Sequence, residues 1–380
     1  MMRALKYWFL VAAVGALIVV GSAMDGPPGA AAQTVEGRLS VVKHLPIRDA
    51  DALAWSPDGR LLAVAIIGGG YEIWDVQSAR KVRELGGKYG KGPTESLAFA
   101  PDGKHLIVEL HDYVQTDPNL FSFALWNVET GAVDLSVKGP SQILSYAVSA
   151  ATERIAVLYV YKQVVLYDTR TWMQVRTWAA DPHAVVIAIE PSGHLVALGG
   201  GISPNEYRGE PMGQIFTYEA ETGRPIATIN GAQQGAVSQL VFLGTSGRIA
   251  STADQLARWR NYAANQLEDV RDVDPIRIWD AYRGRKVSSY ELDFGSPRSL
   301  VSTSAGEFLG LGALARGLGD ASHYWVWNTA SGNEVGRLSS GATYFDVSAF
   351  SADGRYVAVN NVPLRRTGFE VLIIEVGSPR

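Results

Sequence analysis

One short signal recurs seven times along this chain: a strand-like run ends in an aromatic or aliphatic residue followed by Asp, Asn or Glu. Its mean spacing is about 50 residues, the length of a repeat whose units cannot bury their hydrophobic faces alone and must stack around a shared core. The recurrence therefore predicts one ring of sheets, with one sheet per unit. The seven pairs are Trp74-Asp75, Trp126-Asn127, Tyr167-Asp168, Tyr218-Glu219, Trp279-Asp280, Trp327-Asn328 and Ile374-Glu375.

Each unit has the same internal order. A first strand runs into a turn such as Ser56-Pro57-Asp58-Gly59, in which Pro presets φ, Asp bonds the turn backbone and Gly accepts a positive φ. A second apolar strand follows, and the third strand carries the aromatic-acid pair. Gly lies four residues past the acid or amide in four units and closes a second tight turn. These four residues are Gly131, Gly223, Gly284 and Gly332.

The pattern resembles the WD-repeat family, and the resemblance covers the chain from about residue 34 to its end. The aromatic-acid pair, the Gly turn after it and the Ser-Pro-Asp-Gly hairpin carry the resemblance. It implies an all-β, seven-bladed β-propeller. No unit has the Gly-His pair that precedes the first strand in well-formed WD repeats, so their Asp-His-Ser/Thr-Trp hydrogen-bond network is incomplete here. The units therefore resemble degenerate bacterial repeats.

The last unit supplies only three strands, near residues 344–348, 355–360 and 369–376. The strand-like segment from Gly37 to Ile47 precedes the first full unit and has no blade of its own. We expect this segment to become the outer strand of the last blade and to close the ring, because closure leaves only short sheet edges exposed. The alternative is a disordered arm behind the leader.

The first residues have the form of an export signal. Arg3 and Lys6 precede an uncharged run over residues 7–24, and Ala30-Ala31-Ala32 offers a cleavage site before Gln33. We therefore expect a signal peptide at 1–32, a propeller at 33–380 and a periplasmic or secreted protein. The alternative is an uncleaved anchor, because the run of 18 residues is at the short edge of a spanning helix. The chain has no Cys, which excludes disulfides and a lipid-modified Cys.

Long connections between second and third strands are concentrated in four units. By analogy with WD-repeat rings, all of them project from one face, and insertions collected on one face are typical of the binding face of a repeat array. The segment Thr252–Val270 in unit five predicts an inserted helix, with Thr252 and Gln255 at capping-box spacing. The connections are His111 to Ser122, Gly199 to Gly213, Thr252 to Pro275 and Ala313 to His323.

Aromatic and cationic residues in these connections are the candidate partner-binding residues, because Trp, Tyr and Arg dominate interface hot spots. For Trp259 the alternative role is to pack the inserted helix onto the ring. The candidates are Tyr113, Tyr207, Arg208, Trp259 and Arg260.

Catalytic chemistry has little sequence support. The six His residues show no short metal-ligand spacing, no Gly-x-Ser-x-Gly elbow occurs, and the Gly-rich stretches lack the helix of a phosphate loop. A site built from His111, Asp112 and His323 rests on loop placement alone. Acidic residues between Glu268 and Asp274 are interpreted as a solvated surface. We expect no cofactor, no metal and no catalytic residue.

Charge argues against a nucleic-acid partner. Without residues 1–32 the chain carries 32 Lys and Arg against 37 Asp and Glu, and no basic run compensates for this deficit. Two functions remain. The favoured one is a protein-binding or scaffold module that holds a protein or an envelope component through its loop-rich face. The alternative is a periplasmic propeller enzyme, a quinoprotein-like oxidoreductase or a lactonase-like hydrolase.

Overall fold

Seven antiparallel sheets of four or five strands follow one another along the chain. The computed structural model shows a seven-bladed β-propeller, which confirms the predicted fold. Among the described residues, first strands of neighbouring blades contact each other in six of the seven blade pairs, all except blades two and three. The described residues are 34–67, 69–86, 97–110, 122–201, 213–233, 235–253, 258–261, 266–269, 276–290, 292, 297–313, 322–340, 343–363 and 370–377.

Two N-terminal strands precede the first blade. Within each of the seven blades, the later strands then follow one another from the innermost to the outermost in chain order. The first two are β1 (Thr34–Gly37) and β2 (Leu39–Leu45). Blades one and two contain β3 (Ala50–Trp55), β4 (Leu61–Ile66), β5 (Tyr71–Asp75) and β6 (Arg80–Leu85), then β7 (Leu97–Phe99), β8 (His105–Leu110), β9 (Ser122–Asn127) and β10 (Val133–Lys138). Blade three contains β11 (Ile143–Ser149), β12 (Arg154–Tyr159), β13 (Gln163–Asp168) and β14 (Gln174–Ala179).

The remaining blades keep this order, with a hairpin between the second and third strands of blade five. Blade four contains β15 (Ala184–Ile189), β16 (Leu195–Gly201), β17 (Gly213–Glu219) and β18 (Pro225–Asn230). Blade five contains β19 (Val237–Phe242), β20 (Arg248–Ala253), the hairpin strands β21 (Arg258–Asn261) and β22 (Gln266–Asp269), β23 (Ile276–Asp280) and β24 (Arg285–Tyr290). Blades six and seven contain β25 (Pro297–Ser302), β26 (Phe308–Ala313), β27 (Ser322–Asn328) and β28 (Glu334–Ser340), then β29 (Thr343–Tyr344), β30 (Ser348–Phe350), β31 (Tyr356–Pro363) and β32 (Glu370–Val376).

The repeated aromatic-acid pair lies at the end of the third strand in every blade, where its two residues have different tasks. All seven aromatic or aliphatic members are at most 9% exposed and belong to the core. The polar member organises the following turn. The Asp168 carboxylate, for example, accepts hydrogen bonds from the backbone amides of Arg170 and Thr171, both at 3.0 Å. The pair recurs in every unit because its first residue fills the core and its second accepts hydrogen bonds from backbone amides of the turn.

The hydrophobic core lies between blades. One buried cluster, for example, joins Tyr71 and Leu85 of blade one to Phe99, Leu106 and Trp126 of blade two. Each sheet thus buries its face against its neighbour, as repeat units must. A missing strand in one blade would therefore expose apolar surface on two blades.

The N-terminal segment contributes to two blades. Strand β2 runs antiparallel to β32, with Leu45 opposite Val371, and is the outermost strand of blade seven. Strand β1 runs antiparallel to β28 as a fifth strand of blade six, with Thr34 opposite Ser339. The second pairing was not anticipated from the sequence.

The predicted helix over Thr252–Val270 is wrong within the described residues. Thr252 lies inside β20, is fully buried and pairs with Gln239, so it does not cap a helix. Strands β21 and β22 pair antiparallel, with Trp259 opposite Glu268. The backbone of β21 and β22 therefore forms hydrogen bonds between strands, not the hydrogen bonds of the predicted helix. In the part of the chain that the structure describes, no helix is long and apolar enough to cross a membrane.

Candidate functional site at the channel mouth

Strand direction divides the ring into two faces. The first strand of each blade begins at one face, and the connection from the second to the third strand returns to that same face because all neighbouring strands are antiparallel. We call it the channel face. The turns between third and fourth strands lie on the opposite face. All four long connections singled out in the sequence therefore start and finish at the channel face.

A β-bulge recurs at this face. In five blades the register of the first two strands shifts at the second residue of the first strand, so that two residues of the first strand lie opposite one residue of the second. Bulges turn side chains away from the regular pleat and are frequent at rims and next to functional sites. The five bulge residues form the mouth of the channel and are Asp51, Leu144, Val185, Ser238 and Arg298.

Blade seven has the same one-residue excess. Tyr344 pairs with Val362 and Ser348 pairs with Val359, so one more residue lies between the pairs on the inner strand than on its partner. Asp346 lies in this interval. Charged residues therefore occupy the channel mouth on three consecutive blades: Arg298 on blade six, Asp346 on blade seven and Asp51 on blade one.

Asp346 and Arg298 form an ion pair without a close hydrogen bond. Nε of Arg298 lies 3.8 Å from Oδ1 of Asp346, and the two side chains are 38% and 36% exposed. Burial raises the pKa of Asp346 to about 6, Arg298 acts to lower it and the Asp51 carboxylate raises it. Although a third of its side chain contacts solvent, surrounding protein still limits the hydration of this carboxylate. The pKa of Asp346 is thus raised into the weakly acidic range.

A buried amide holds the two acidic residues in place. Asn360 on β31 is 2% exposed, and its Oδ1 accepts hydrogen bonds from the backbone amides of Asp346 at 2.9 Å and Val347 at 3.0 Å. Its Nδ2 donates to the carbonyl of Ala50 at 3.3 Å. Because Ala50 directly precedes Asp51, one side chain positions the acidic residues of two blades.

The Arg298 backbone is also tied to its neighbours. Nε2 of Gln239 on blade five donates to the Arg298 carbonyl at 2.5 Å. The buried hydroxyls of Ser299 and Ser348 hydrogen-bond at 2.9 Å, which joins blade six to blade seven. Blades five, six, seven and one are thus linked in sequence around the charged side of the mouth, so its geometry is preorganised.

The other side of the mouth is more apolar. Leu144 and Val185 occupy the bulges of blades three and four, and Val185 is 39% exposed. Tyr161 projects from the connection between the second and third strands of blade three with 80% exposure, and Ile67 from that of blade one with 61%. Nζ of Lys162, whose pKa is lowered by burial, donates to the carbonyl of Ala184 at 2.6 Å. The mouth therefore combines a charged side with an apolar side.

The structure tests none of the partner-binding candidates. Tyr113, Tyr207 and Arg208 lie outside the described residues. Trp259 and Arg260 lie in β21, whose backbone alone is described. Their partner-binding role therefore stays a prediction.

The channel-mouth residues carry a sequence signal that was missed. Each lies five residues before the start of the turn between the first and second strands, as Asp51 precedes Ser56 and Asp346 precedes Ser351. When the seven units are aligned on this turn, the position five residues before it differs in residue type from unit to unit. In the described units this position lies at the channel mouth. In chain order its residues are Asp51, Glu95, Leu144, Val185, Ser238, Arg298 and Asp346, of which Glu95 lies outside the described residues.

Four histidines of the described residues have ring nitrogens within hydrogen-bond distance of a side chain, and they are His44, His105, His183 and His323. Nδ1 of His323 is 2.7 Å from the Ser339 hydroxyl, and its ring packs on Trp325. His111 and Asp112, proposed with His323 as a site, lie outside the described residues. No group of three or more His, Asp or Glu in the described ranges is placed to hold a metal ion.

His105 is held between two carboxylates on the opposite face. Nδ1 is 2.6 Å from Oδ2 of Asp102, and Nε2 is 2.9 Å from Oδ2 of Asp134. Burial acts to lower the pKa of His105, but the two carboxylates outweigh it and raise the pKa above its usual value. With both ring nitrogens engaged, His105 ties β8 to β10 within blade two.

We expect His105→Gln to lower the Tm more at pH 6 than at pH 9. Because the folded-state pKa is raised, the stabilisation is fully present below the unfolded pKa and is lost as the pH rises through the folded value. Thermal melting at both pH values measures the difference. His194→Gln, at an exposed position, is the control and should change Tm little. An equal loss for His105→Gln at both pH values would contradict the assignment.

The described residues of the channel mouth provide two carboxylates, one guanidinium, the Lys162 ammonium and an apolar border in a preorganised rim. Such a surface can pair with an opposite charge and bury apolar groups beside it. Comparison with protein-family models and with curated proteins finds no match to this chain.

Proposed function

We propose that this chain is an exported propeller that binds a protein or an envelope component through its channel face. One observation carries the proposal: the recurring bulge places charged side chains on blades six, seven and one and apolar side chains on blades three and four of the same mouth. Bulges disrupt pairing and are retained where they re-aim side chains.

The composition of this face suits recognition. Tyr161 and Ile67 expose large apolar side chains beside the charged rim, and interfaces commonly combine aromatic anchors with polar groups at their edge. The long connections that begin at this face add contact area. The candidate anchors Tyr113, Tyr207, Arg208, Trp259 and Arg260 belong to those connections, so they extend the proposed surface.

Membership of the WD-repeat family and export by residues 1–32 are part of the same proposal. The family assignment is supported by the Ser-Pro-Asp-Gly turn and by the tasks of the aromatic-acid pair. The pairing of β2 with β32 supports ring closure by the N-terminal segment. An exported ring with a preorganised mouth would hold a partner without chemistry of its own.

Photo-crosslinking tests which face binds. A benzoylphenylalanine at Tyr161 or Ile67 should crosslink the same partner, identified by mass spectrometry, in cells that export the protein. Met173 and Tyr282 are matched controls, because they are 69% and 53% exposed and lie on turns of the opposite face. Crosslinks that form equally from the control positions would contradict the proposal.

Shortening the connection over Ser203 to Met212 is a second test. It removes Tyr207 and Arg208 without touching a described strand, so partner capture should fall while Tm changes little. Undiminished capture would place binding elsewhere. A preparation free of added cofactor should also be assayed with lactones, and with alcohols in the presence of added quinone. Turnover of either substrate would favour the alternative function, a propeller enzyme.

A further inference from the structure

We propose that the outer edge of blade six is a binding site for an extended strand of a partner protein, and that β1 occupies this site until such a strand replaces it. The partner strand runs antiparallel to β28 and presents an acidic side chain to Arg337, as β1 does. The edge lies at the circumference of the ring, whereas the proposed function concerns the channel face. This binding site is therefore additional to the proposed function.

Blade six is complete without β1. Blades one to five each pair four strands in one sheet, and blade six already has four in β25, β26, β27 and β28. Strand β1 adds a fifth beyond β28, with Thr34 opposite Ser339 and Gly37 opposite Gly336. In blade seven, by contrast, β2 supplies the outermost of the four strand positions. Strand β1 therefore caps an edge and does not complete a blade.

Strand β1 is held mainly through its backbone. Val35, its only hydrophobic residue, is 39% exposed, and the Glu36 side chain is 51% exposed. Strand β2 is instead anchored by Leu39 and Leu45, which are 6% and 0% exposed. When one edge strand replaces another, the main-chain hydrogen bonds that supply most of the affinity are formed again. Exchange at this edge therefore costs little free energy.

Arg337 gives the edge its charge preference. Its Nε and Nη2 contact the same atom, Oε2 of Glu36, at 2.8 and 2.6 Å. Glu36 is directly opposite Arg337 in the register. Hydrogen bonds between a guanidinium and a carboxylate are stronger than neutral ones and depend on position. An incoming strand is therefore selected for an acidic side chain at this place.

The positions on either side of the acid are also restricted. Val35 lies opposite Leu338, which is fully buried, so an apolar residue fits before the acid. In the path taken by β1, a Cβ added at Gly37 would lie 2.4 Å from the carbonyl oxygen of Val335, so glycine fits after the acid. The site thus accepts an apolar residue, an acid and a glycine in succession.

A reversible lock tests whether β1 occupies the site. The chain has no Cys, and Thr34→Cys with Ser339→Cys places two thiols on directly opposite residues, whose separation a disulfide can span. The probe is a fluorescein-labelled peptide with the sequence of residues 33–38, and fluorescence anisotropy measures its binding. We expect the oxidised variant to bind the peptide about tenfold more weakly than the reduced one, because a tethered strand competes at high effective concentration. Equal binding in the two redox states would overturn the inference.

Charge reversal tests the role of Arg337. Replacing Glu by Lys in the peptide should weaken binding about fivefold, the effect of one exposed ion pair. Arg337→Glu should reverse this preference between the two peptides. Lys81→Glu is the matched control, because Lys81 is 38% exposed and pairs with Glu72 in blade one, and it should leave the preference unchanged. Circular dichroism confirms that each variant is folded. An unchanged preference in Arg337→Glu would contradict the assignment.

The outcome is independent of the crosslinking test. Peptide binding without crosslinks from Tyr161 and Ile67 would support the edge site and overturn the proposed partner surface on the channel face. Crosslinks from those two positions, with no peptide bound by the reduced variant, would overturn the edge site and leave the channel face as the binding surface.

Discussion

Deleting residues 37–47 should lower the Tm sharply or cause aggregation. The deletion removes β2, which is hydrogen-bonded to β32 at the outside of blade seven, and exposes that strand as an open edge. It also removes Leu39, Leu45 and Ile47, which are 6%, 0% and 1% exposed. We expect a cost of several kcal/mol, because each buried aliphatic side chain alone contributes about 2 to 5 kcal/mol. Thermal melting and light scattering measure it.

A pair of point variants refines this test. Leu45 packs in a cluster with Leu53 and Trp74 of blade one and Val371 of blade seven, so Leu45→Ala should cost about 2 to 5 kcal/mol. Val42 lies on the same strand but is 43% exposed, so Val42→Ala should cost well under about 1 kcal/mol. Unchanged melting of the deletion variant would show that the N-terminal segment does not close the ring.

Gly306→Ala should be among the most destabilising single substitutions in this protein. Gly306 lies in the turn between the first two strands of blade six with φ of +74°, and an added Cβ would lie 2.3 Å from the backbone nitrogen of Gly244 in the matching turn of blade five. Backbone atoms cannot move aside as a flexible side chain can. We expect a loss above about 3 kcal/mol, since strain in the left-handed region adds to the clash.

Gly59→Ala is the matched control. Gly59 occupies the equivalent turn of blade one with φ of +70°, but no atom lies within 4 Å of an added Cβ. Its substitution should cost only the conformational strain, about 1 to 2 kcal/mol. Urea unfolding of both variants isolates the contact between blades five and six. Equal losses would show that the two turns do not constrain each other.

The ring of seven blades could be predicted because its signals are local. Trp74 and Trp279 fill the core between their own blade and the preceding one. Asp75 and Asp280 accept hydrogen bonds from backbone amides of the turn that follows immediately. Burial at one position and turn chemistry at the next leave a pattern that recurs in every unit. The count of units and the position of each third strand follow from it.

The insertion of blade five shows that a helical spacing of apolar residues does not by itself predict a helix. Thr252 and the apolar residues after it match a helical spacing, yet Thr252 pairs with Gln239 inside the sheet. Helix nucleation in a short segment is costly, whereas the end of β20 is already extended by its neighbour. Tertiary pairing therefore overrides the local pattern, and the sequence contains no sign of which would prevail.

The sequence alone determined the repeat, the fold and the turn residues, because each depends on neighbours within a few positions. Only the tertiary structure decided the channel mouth. The Arg298 guanidinium and the Asp346 carboxylate are 48 positions apart in the chain but lie 3.8 Å apart across two blades. The Asn360 side chain donates a hydrogen bond to the carbonyl of Ala50, which is 310 positions away in the chain. Ring closure creates these contacts, since it brings the first and last blades together and directs their bulged residues to one axis.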